Sequence, residues 1–398
     1  MSPQLPVANR VAVVGYAQSA TRRRSERPLG ALAVDTARAA IADAGLTVDH
    51  VDGFVSSSML PSAGAHQAVD GVSIVSSGWL ARSLGADPHY VAGFDGIGQV
   101  SGSVGMAVNA IIAGAADYVL VHRALHNPAG AYHANPTREF RGAQQWTAPQ
   151  GFFGPLAMIA LPYNEYLQKY GARRESMAAV VTEARRNGAR LPESYWFGRP
   201  LTGEEYLAEP TLVDPICRLD CDIPVEGVAA FVLTSAERAR DLPNRPVYVA
   251  GFAGSAPPPR RLPMHWPLDD IVAGGLGTVG RLWRQTGLTI GDVDLPQVYD
   301  GFSPLVWFWL EALGLCPAGE AHRFVESGGI DADHGGVPAL SGGGALGNGR
   351  MHGVPQMVEC YLQLSARAGA RQLDASIGLA CQSSPHYGGI VAYSAMPI

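Results

Sequence analysis

The chain has 398 residues, a net charge of −6 and a pI near 6.0, which gives no global reason to expect nucleic acid or an anionic membrane as a partner. A hydrophobic fraction of 47% against 16% charged residues supplies apolar surface for a real core and excludes a low-complexity or disordered chain. Its five cysteines, Cys217, Cys221, Cys316, Cys360 and Cys381, are odd in number and widely spaced, which excludes a disulfide framework.

No charged n-region with a following apolar run opens the chain, so a cytoplasmic protein is expected. The first elements are a β-like run from Val11 to Tyr16, a helix-like segment from Leu29 to Ala44 ended by Gly45, and a second β-like run from Val51 to Ser56. A Gly-rich turn then leads into an apolar helix, Gly93 to Gly114, and a strand, Tyr118 to Val121. The stretch from Val100 to Val121 is the longest apolar one. Asn109 and Asp117 lie inside it, so it reads as a buried helix running into a buried strand, and no membrane span is expected.

Asn127 to Leu242 reads as a long inserted region, with helix-like runs from Leu156 to Tyr170 and Glu175 to Ala189. Cys217 and Cys221 within it have no second Cys or His pair at finger-like spacing, so no metal site is expected.

After the insertion the chain repeats itself. Val13-Val14-Gly15-Tyr16-Ala17-Gln18-Ser19-Ala20 returns as Val249-Ala250-Gly251-Phe252-Ala253-Gly254-Ser255-Ala256. Gly45-Leu46-Thr47-Val48-Asp49-His50-Val51-Asp52 returns as Gly287-Leu288-Thr289-Ile290-Gly291-Asp292-Val293-Asp294. The second copy holds a strand from Val247 to Phe252, a helix from Ile271 to Thr286, and a strand from Leu295 to Tyr299. A Gly-rich turn and helix from Ser341 to Leu364 and a strand from Ala375 to Leu379 follow. Strand–helix–strand order in both copies predicts parallel pairing and right-handed crossovers. The expected organisation is an N-terminal half (1–126), an insertion (127–242) and a C-terminal half (243–398).

Two α/β halves with Gly-rich loops running into central helices resemble the thiolase superfamily over nearly the whole chain. Asn109 to Val121 is similar to the helix and strand after the family's nucleophile turn, and Asp220 to Ala230 to its link toward the second half. The resemblance implies the thiolase fold: an α/β protein of two duplicated βαβαβ halves forming a five-layer αβαβα body.

Three motifs depart from the family pattern. The nucleophile turn, Phe94-Asp95-Gly96-Ile97-Gly98-Gln99-Val100-Ser101-Gly102, has no Cys; Ile97 falls at or near that position and Ser101 is the nearby hydroxyl. Tyr299-Asp300-Gly301-Phe302 stands where thiolases carry an Asn or His loop. This form is similar to the thiolase-like aldolases that cleave steroid side chains in actinobacteria. Gly343-Gly344-Ala345-Leu346-Gly347-Asn348-Gly349-Arg350-Met351-His352-Gly353 stands where thiolases carry a Gly-His-Pro loop; Arg350 takes the His position, where those aldolases tend to have a second Tyr. Gly343, Gly344 and Ser101 are the expected substrate-binding positions. Cys381, followed by Gln382 to Gly389, matches the family's second, acid/base Cys or is a small buried residue at a strand end. His386 is a further candidate that the family pattern does not supply.

Without a thiolate, acyl transfer is not expected, whereas a reaction through a thioester enolate remains open. The resemblance implies retro-aldol cleavage of a β-hydroxyacyl-CoA, with Tyr299 handling the proton, Asp300 orienting the loop, and Arg350 and His352 stabilising or protonating the enolate. Tyr299 would need a nearby cation such as Arg350 to act as a base at neutral pH. Coenzyme A enters as part of the substrate, and no permanently bound cofactor is expected. The resemblance also implies a homodimer and a small OB-fold, zinc-ribbon partner protein. Arg22-Arg23-Arg24 and Arg260-Arg261 are candidates for the CoA phosphates, and Trp146, Phe152, Phe153, Trp307, Phe308 and Trp309 either line a broad pocket or form core. Two rival readings stand beside the aldolase: an acyltransferase using Cys381 or Ser101, and a non-catalytic acyl-CoA- or lipid-binding subunit.

Overall fold

The computed structural model describes residues 7–57, 72, 74–94, 99–126, 140–142, 144–152, 154–254 and 266–398. The first half holds strands β1 (Val11–Gln18), β2 (Gly53–Ser56), β3 (Tyr90–Gly93) and β4 (Tyr118–Leu125), with helices α1 (Leu29–Asp43), α2 (Ser77–Leu84) and α3 (Gln99–Ile112). The excursion that follows carries α4 (Gln144–Thr147), α5 (Gly154–Tyr170), α6 (Met177–Gly188), α7 (Gly203–Ala208) and a two-stranded hairpin, β5 (Thr211–Val213) and β6 (Ile216–Cys217). Next come β7 (Gly227–Ser235), α8 (Ala236–Ala239), β8 (Val247–Gly254), α9 (Leu268–Thr286) and β9 (Leu295–Gln297). The chain ends with α10 (Pro304–Leu313), α11 (Ala321–Glu326), α12 (Gly344–Asn348), α13 (Val354–Leu364), β10 (Ile377–Gln382) and β11 (Gly389–Ser394).

Nine strands run in the order β3-β2-β4-β7-β1-β8-β11-β10-β9. Apart from β3, which has no counterpart among the described strands of the second half, the order is a mirror of itself about the β1–β8 contact, where Ala12 faces Tyr248 and Val13 faces Val247. The duplication is therefore structural: β1 corresponds to β8, β7 to β11, β4 to β10 and β2 to β9. Within each half the pairs β2–β4, β2–β3 and β9–β10 are parallel, as expected, while β7 and β11 run antiparallel to their neighbours. In the second half a short turn, residues 383–388, joins β10 to β11; the same step in the first half takes residues 126–226. The insertion is thus an enlarged hairpin connection. The stretch 227–242, grouped with the insertion from the sequence, contains β7, which returns to the sheet between β4 and β1.

Side-chain alternation along the strands divides the core into layers. Val11, Val13, Val119, Val121, Phe231, Val249, Val391 and Tyr393 pack around α3 and α13 in a central cluster. Ala12, Val14, Leu120, Val228 and Val232 face α1 and α2 on one outer side. Ala250, Leu379, Ile390 and Ala392 face α9 and α10 on the other. Helix, strand, helix, strand, helix is the resulting five-layer stack. Both faces of the inner strands are covered, which is why they read as continuous Val/Ala/Leu runs rather than alternating ones.

The insertion folds back over the C-terminal half. Leu156, Ile159, Tyr163 and Tyr166 of α5 and Val180, Val181 and Ala184 of α6 join the outer cluster of that half. Charged pairs close its rim: Arg186 meets Asp331 at 2.6 Å and Arg190 meets Asp333 at 2.6 Å. Trp307, Phe308 and Trp309 are core residues of this cluster, at 0%, 4% and 0% exposure, and Phe308 also borders a small apolar cavity with Ile271, Val272 and Leu276. Trp146 is exposed, and Phe153 lies outside the described residues. Among the described residues, no helix is long and apolar enough to cross a membrane.

Candidate active site

The loops at the carboxyl ends of β4, β9 and β10 converge with the loop ahead of α13, where an open α/β body places its ligands. Asp300 anchors the arrangement. It is completely buried, and its carboxylate accepts the backbone N–H of Ala345 at 2.6 Å and of Leu346 at 3.0 Å, and Gln356 Nε2 at 3.0 Å. The loop after β9 is thereby tied to the first turn of α12. Burial pushes the Asp300 carboxyl up to about 7. Gly344, at φ 55°, sits directly against this carboxylate, and a Cβ there would strike it. Gly343 packs on the Gly188 backbone of α6. Both glycines are buried in contacts within the protein, so the expectation that they bind substrate is replaced by a packing role.

Tyr299, next to this anchor, is 9% exposed. Burial and the neighbouring Asp222 carboxylate hold its phenol well above the ordinary tyrosine range, and Arg350 only partly opposes them. The expectation that Arg350 would ready Tyr299 as a base is therefore corrected: Tyr299 keeps its proton at neutral pH. Asp222 arrives from the segment returning from the insertion, where its backbone N–H donates to Gly301 O at 3.1 Å. It is 2% exposed. Arg350 is held to the same segment, its backbone N–H donating to Ile223 O at 2.8 Å.

His352 lies two residues beyond Arg350, at φ 50° and 4% exposure. Its Nδ1 meets Nη2 of Arg123 at 2.8 Å. Burial, then Arg350 and Arg123, push the imidazole well below its usual range. Arg123, on β4 and 2% exposed, also donates through Nη1 to Ser57 O. Burial and Arg350 lower its guanidinium to about 9. Gln382, at the end of β10, bridges the two halves: Nε2 donates to His352 O, and Oε1 accepts the backbone N–H of Ser101 at 2.8 Å. Gly353, at φ 85°, leaves the space this amide crosses, for a Cβ there would meet it. Ser101 lies in the first turn of α3, with its Oγ against Gly389.

Ser101, Tyr299, Asp300, Arg350 and His352 thus come together, and two other candidates stand apart. Cys381 faces the outer apolar cluster, is fully buried, and has its thiol pushed well up by that burial. A buried neutral thiol is a poor acid/base group, so the acid/base expectation for Cys381 is corrected. His386 lies on the β10–β11 turn, with Nδ1 2.8 Å from Ser384 Oγ and its ring edge-on to Trp266 and Tyr387. Burial lowers it to about 4, so it is neutral. Its ring neighbour Tyr387 is among the groups that raise the Tyr299 phenol. Among the described residues, no group of His, Cys, Asp and Glu is arranged to hold a metal ion. Ile97, Arg260 and Arg261 lie outside the described residues.

Sequence reasoning missed Arg123, Asp222 and Gln382. A charge at the carboxyl end of an otherwise apolar strand, Val-Leu-Val-His-Arg, is a usable signal for Arg123. For Gln382 the signal is parity: Ala380 faces the central layer, so residue 382 does too and Cys381 does not.

Mirror-related halves, paired central helices and these loops define the class as a thiolase-fold protein. Residues 279–397 match the family model described as Thiolase C-terminal domain-like. The chain is 31% identical to the 17-hydroxy-3-oxo-4-pregnene-20-carboxyl-CoA lyase of Mycobacterium tuberculosis, across 90% of this chain and 92% of that one. It is 31% identical to the steroid side-chain-cleaving aldolase of Thermomonospora curvata, across 87% and 88%. The solved Ltp2-ChsH2(DUF35) aldolase superposes with a TM-score of 0.83 at 28% identity, covering 98% of both chains. The chain belongs to the thiolase superfamily, in its family of thiolase-like aldolases, which are carbon–carbon lyases.

Proposed function

We propose that this protein cleaves a steroid side-chain β-hydroxyacyl-CoA by a retro-aldol reaction, without a covalent acyl-enzyme. The observation that carries the reading is the pairing of a neutral buried phenol, Tyr299, with the cation-flanked loop Arg350–His352, while Cys381 faces away from them. Tyr299 takes the β-hydroxyl proton as it passes its own to Asp222. The O–H electron pair becomes the new carbonyl bond. The Cα–Cβ bond breaks, and its electrons move into the thioester to form the enolate. Arg350 and the Nε2 side of His352 meet the developing negative charge on the thioester oxygen. Returning the proton through Tyr299 to Cα closes the cycle, giving a ketone and a shortened acyl-CoA with no net proton change. Asp300 contributes by holding the Tyr299 loop rigid.

The DUF35 subunit named in the solved aldolase supports a partner of that type; the proposal adds that the partner is a small OB-fold, zinc-ribbon module and that the chain works as a cytoplasmic homodimer. The test is incubation with that partner and a 17-hydroxy steroid side-chain CoA ester, followed by mass spectrometry. A ring ketone with a shortened acyl-CoA is expected. Stoichiometric binding without cleavage would instead support the lipid-binding reading.

A further inference from the structure

Arg123 is a buried cation on a core strand, where a charge is costly unless it has a task. Its guanidinium carries hydrogen on every nitrogen and accepts nothing. One Nη donates to the Ser57 carbonyl and the other lies 2.8 Å from His352 Nδ1. An obligate donor at Nδ1 requires a lone pair there, so the ring proton must sit on Nε2. Nε2 makes no hydrogen bond to any described residue and is left for a ligand. The backbone of His352 is held as well, since Gln382 of β10 grips its carbonyl.

We propose that Arg123 is a positioning residue that fixes His352 as the neutral Nε2–H tautomer, so that the ring meets the thioester oxygen as a hydrogen-bond donor and not as a proton-transfer group. The role at the thioester rests on the aldolase reading; the tautomer does not. The groups facing the imidazole are Arg123 from β4, Arg350 from its own loop and the uncharged Gln382 from β10. No carboxylate among the described residues acts on the ring, and both cations oppose a second proton. With the proton on Nδ1 instead, Nε2 would turn a lone pair toward an incoming oxygen, repelling it.

The experiment is nitrogen NMR on the full-length protein labelled with 15N-histidine, with the His352 signals assigned by their loss in His352→Gln. The expected wild-type result is the Nε2–H pattern, unchanged from about pH 5 to about pH 8, the range in which a free histidine titrates. In Arg123→Met the ring, still buried and beside Arg350, stays neutral across this range but loses the single tautomer and shows a mixture of Nδ1–H and Nε2–H forms. Arg123→Lys, still an obligate donor, restores the Nε2–H pattern. With the steroid CoA ester, Arg123→Met lowers kcat by ~10²–10³, the loss typical of one oxyanion donor, with KM little changed. A wild-type ring protonated on Nδ1, or titrating in this range, overturns the assignment whether or not the protein cleaves the ester. A fixed Nε2–H spectrum in a protein that cleaves nothing supports the tautomer and sinks the aldolase reading alone. If Arg123→Met does not fold, the wild-type spectrum still decides.

Discussion

Replacing Asp300 with asparagine keeps the side-chain shape and removes the ability to ionise, which isolates the consequence of burying this carboxyl. In the folded protein the group titrates at about 7, raised by burial; in the unfolded chain it titrates near ~3.9. Folding therefore takes up a proton between these two values. The stabilising contribution is fully present below about pH 4 and is lost as pH rises through about 7. A gap of about three pKa units at about 1.4 kcal/mol each amounts to about 4 kcal/mol. Stability of the wild type relative to Asp300→Asn should fall by about that amount between about pH 4 and pH 8. Urea unfolding followed by tryptophan fluorescence at several pH values measures the difference, and groups common to both proteins cancel. A difference that stays constant across the range would refute the claim that the anchor carboxyl holds its proton more tightly in the fold.

Tyr299→Phe should leave the unfolding midpoint nearly unchanged while lowering kcat by ~10²–10⁴, as for loss of a proton-transferring group. Arg350→Gln should cost ~10²–10³ in kcat by removing one donor from the developing oxyanion, measured with the same substrate. Cys381→Ala should keep kcat within about twofold and cost about 1 kcal/mol of stability, read from steady-state rates and denaturant unfolding. Gly344→Ala places a methyl against Asp300 at a positive φ, so a loss of ~2 kcal/mol or more in denaturant unfolding is expected.

Much of the architecture was legible because the duplication repeats both residue types and order, and because inner strands covered on two faces read as long apolar runs. The strand Gly227–Ser235 escaped the right grouping since a hairpin return looks the same in sequence whether its connection is short or a hundred residues long. The β10–β11 turn and residues 126–226 are the same step at two sizes. At the candidate site, Tyr299, Asp300, Arg350 and His352 stand out in the sequence through their loops, and the structure places those loops side by side. Cys381 misled because residue type was weighed without strand parity; counting by two from Ala380 points Gln382 inward. Arg123 and Asp222 are long-range partners, and Arg123 meets His352 across 229 residues. Nothing local in either segment records that contact.

The central claim is carbon–carbon cleavage through a thioester enolate with no acyl-enzyme, and one experiment addresses both parts. The protein, together with a DUF35-type subunit, is given a 17-hydroxy steroid side-chain CoA ester in D2O, and the intact protein and the released acyl-CoA are weighed by mass spectrometry. One solvent deuterium at Cα of the shortened acyl-CoA, with the protein mass unchanged throughout turnover, is the predicted result. An acyl adduct on the protein, or a CoA ester that stays bound and intact, would contradict the account.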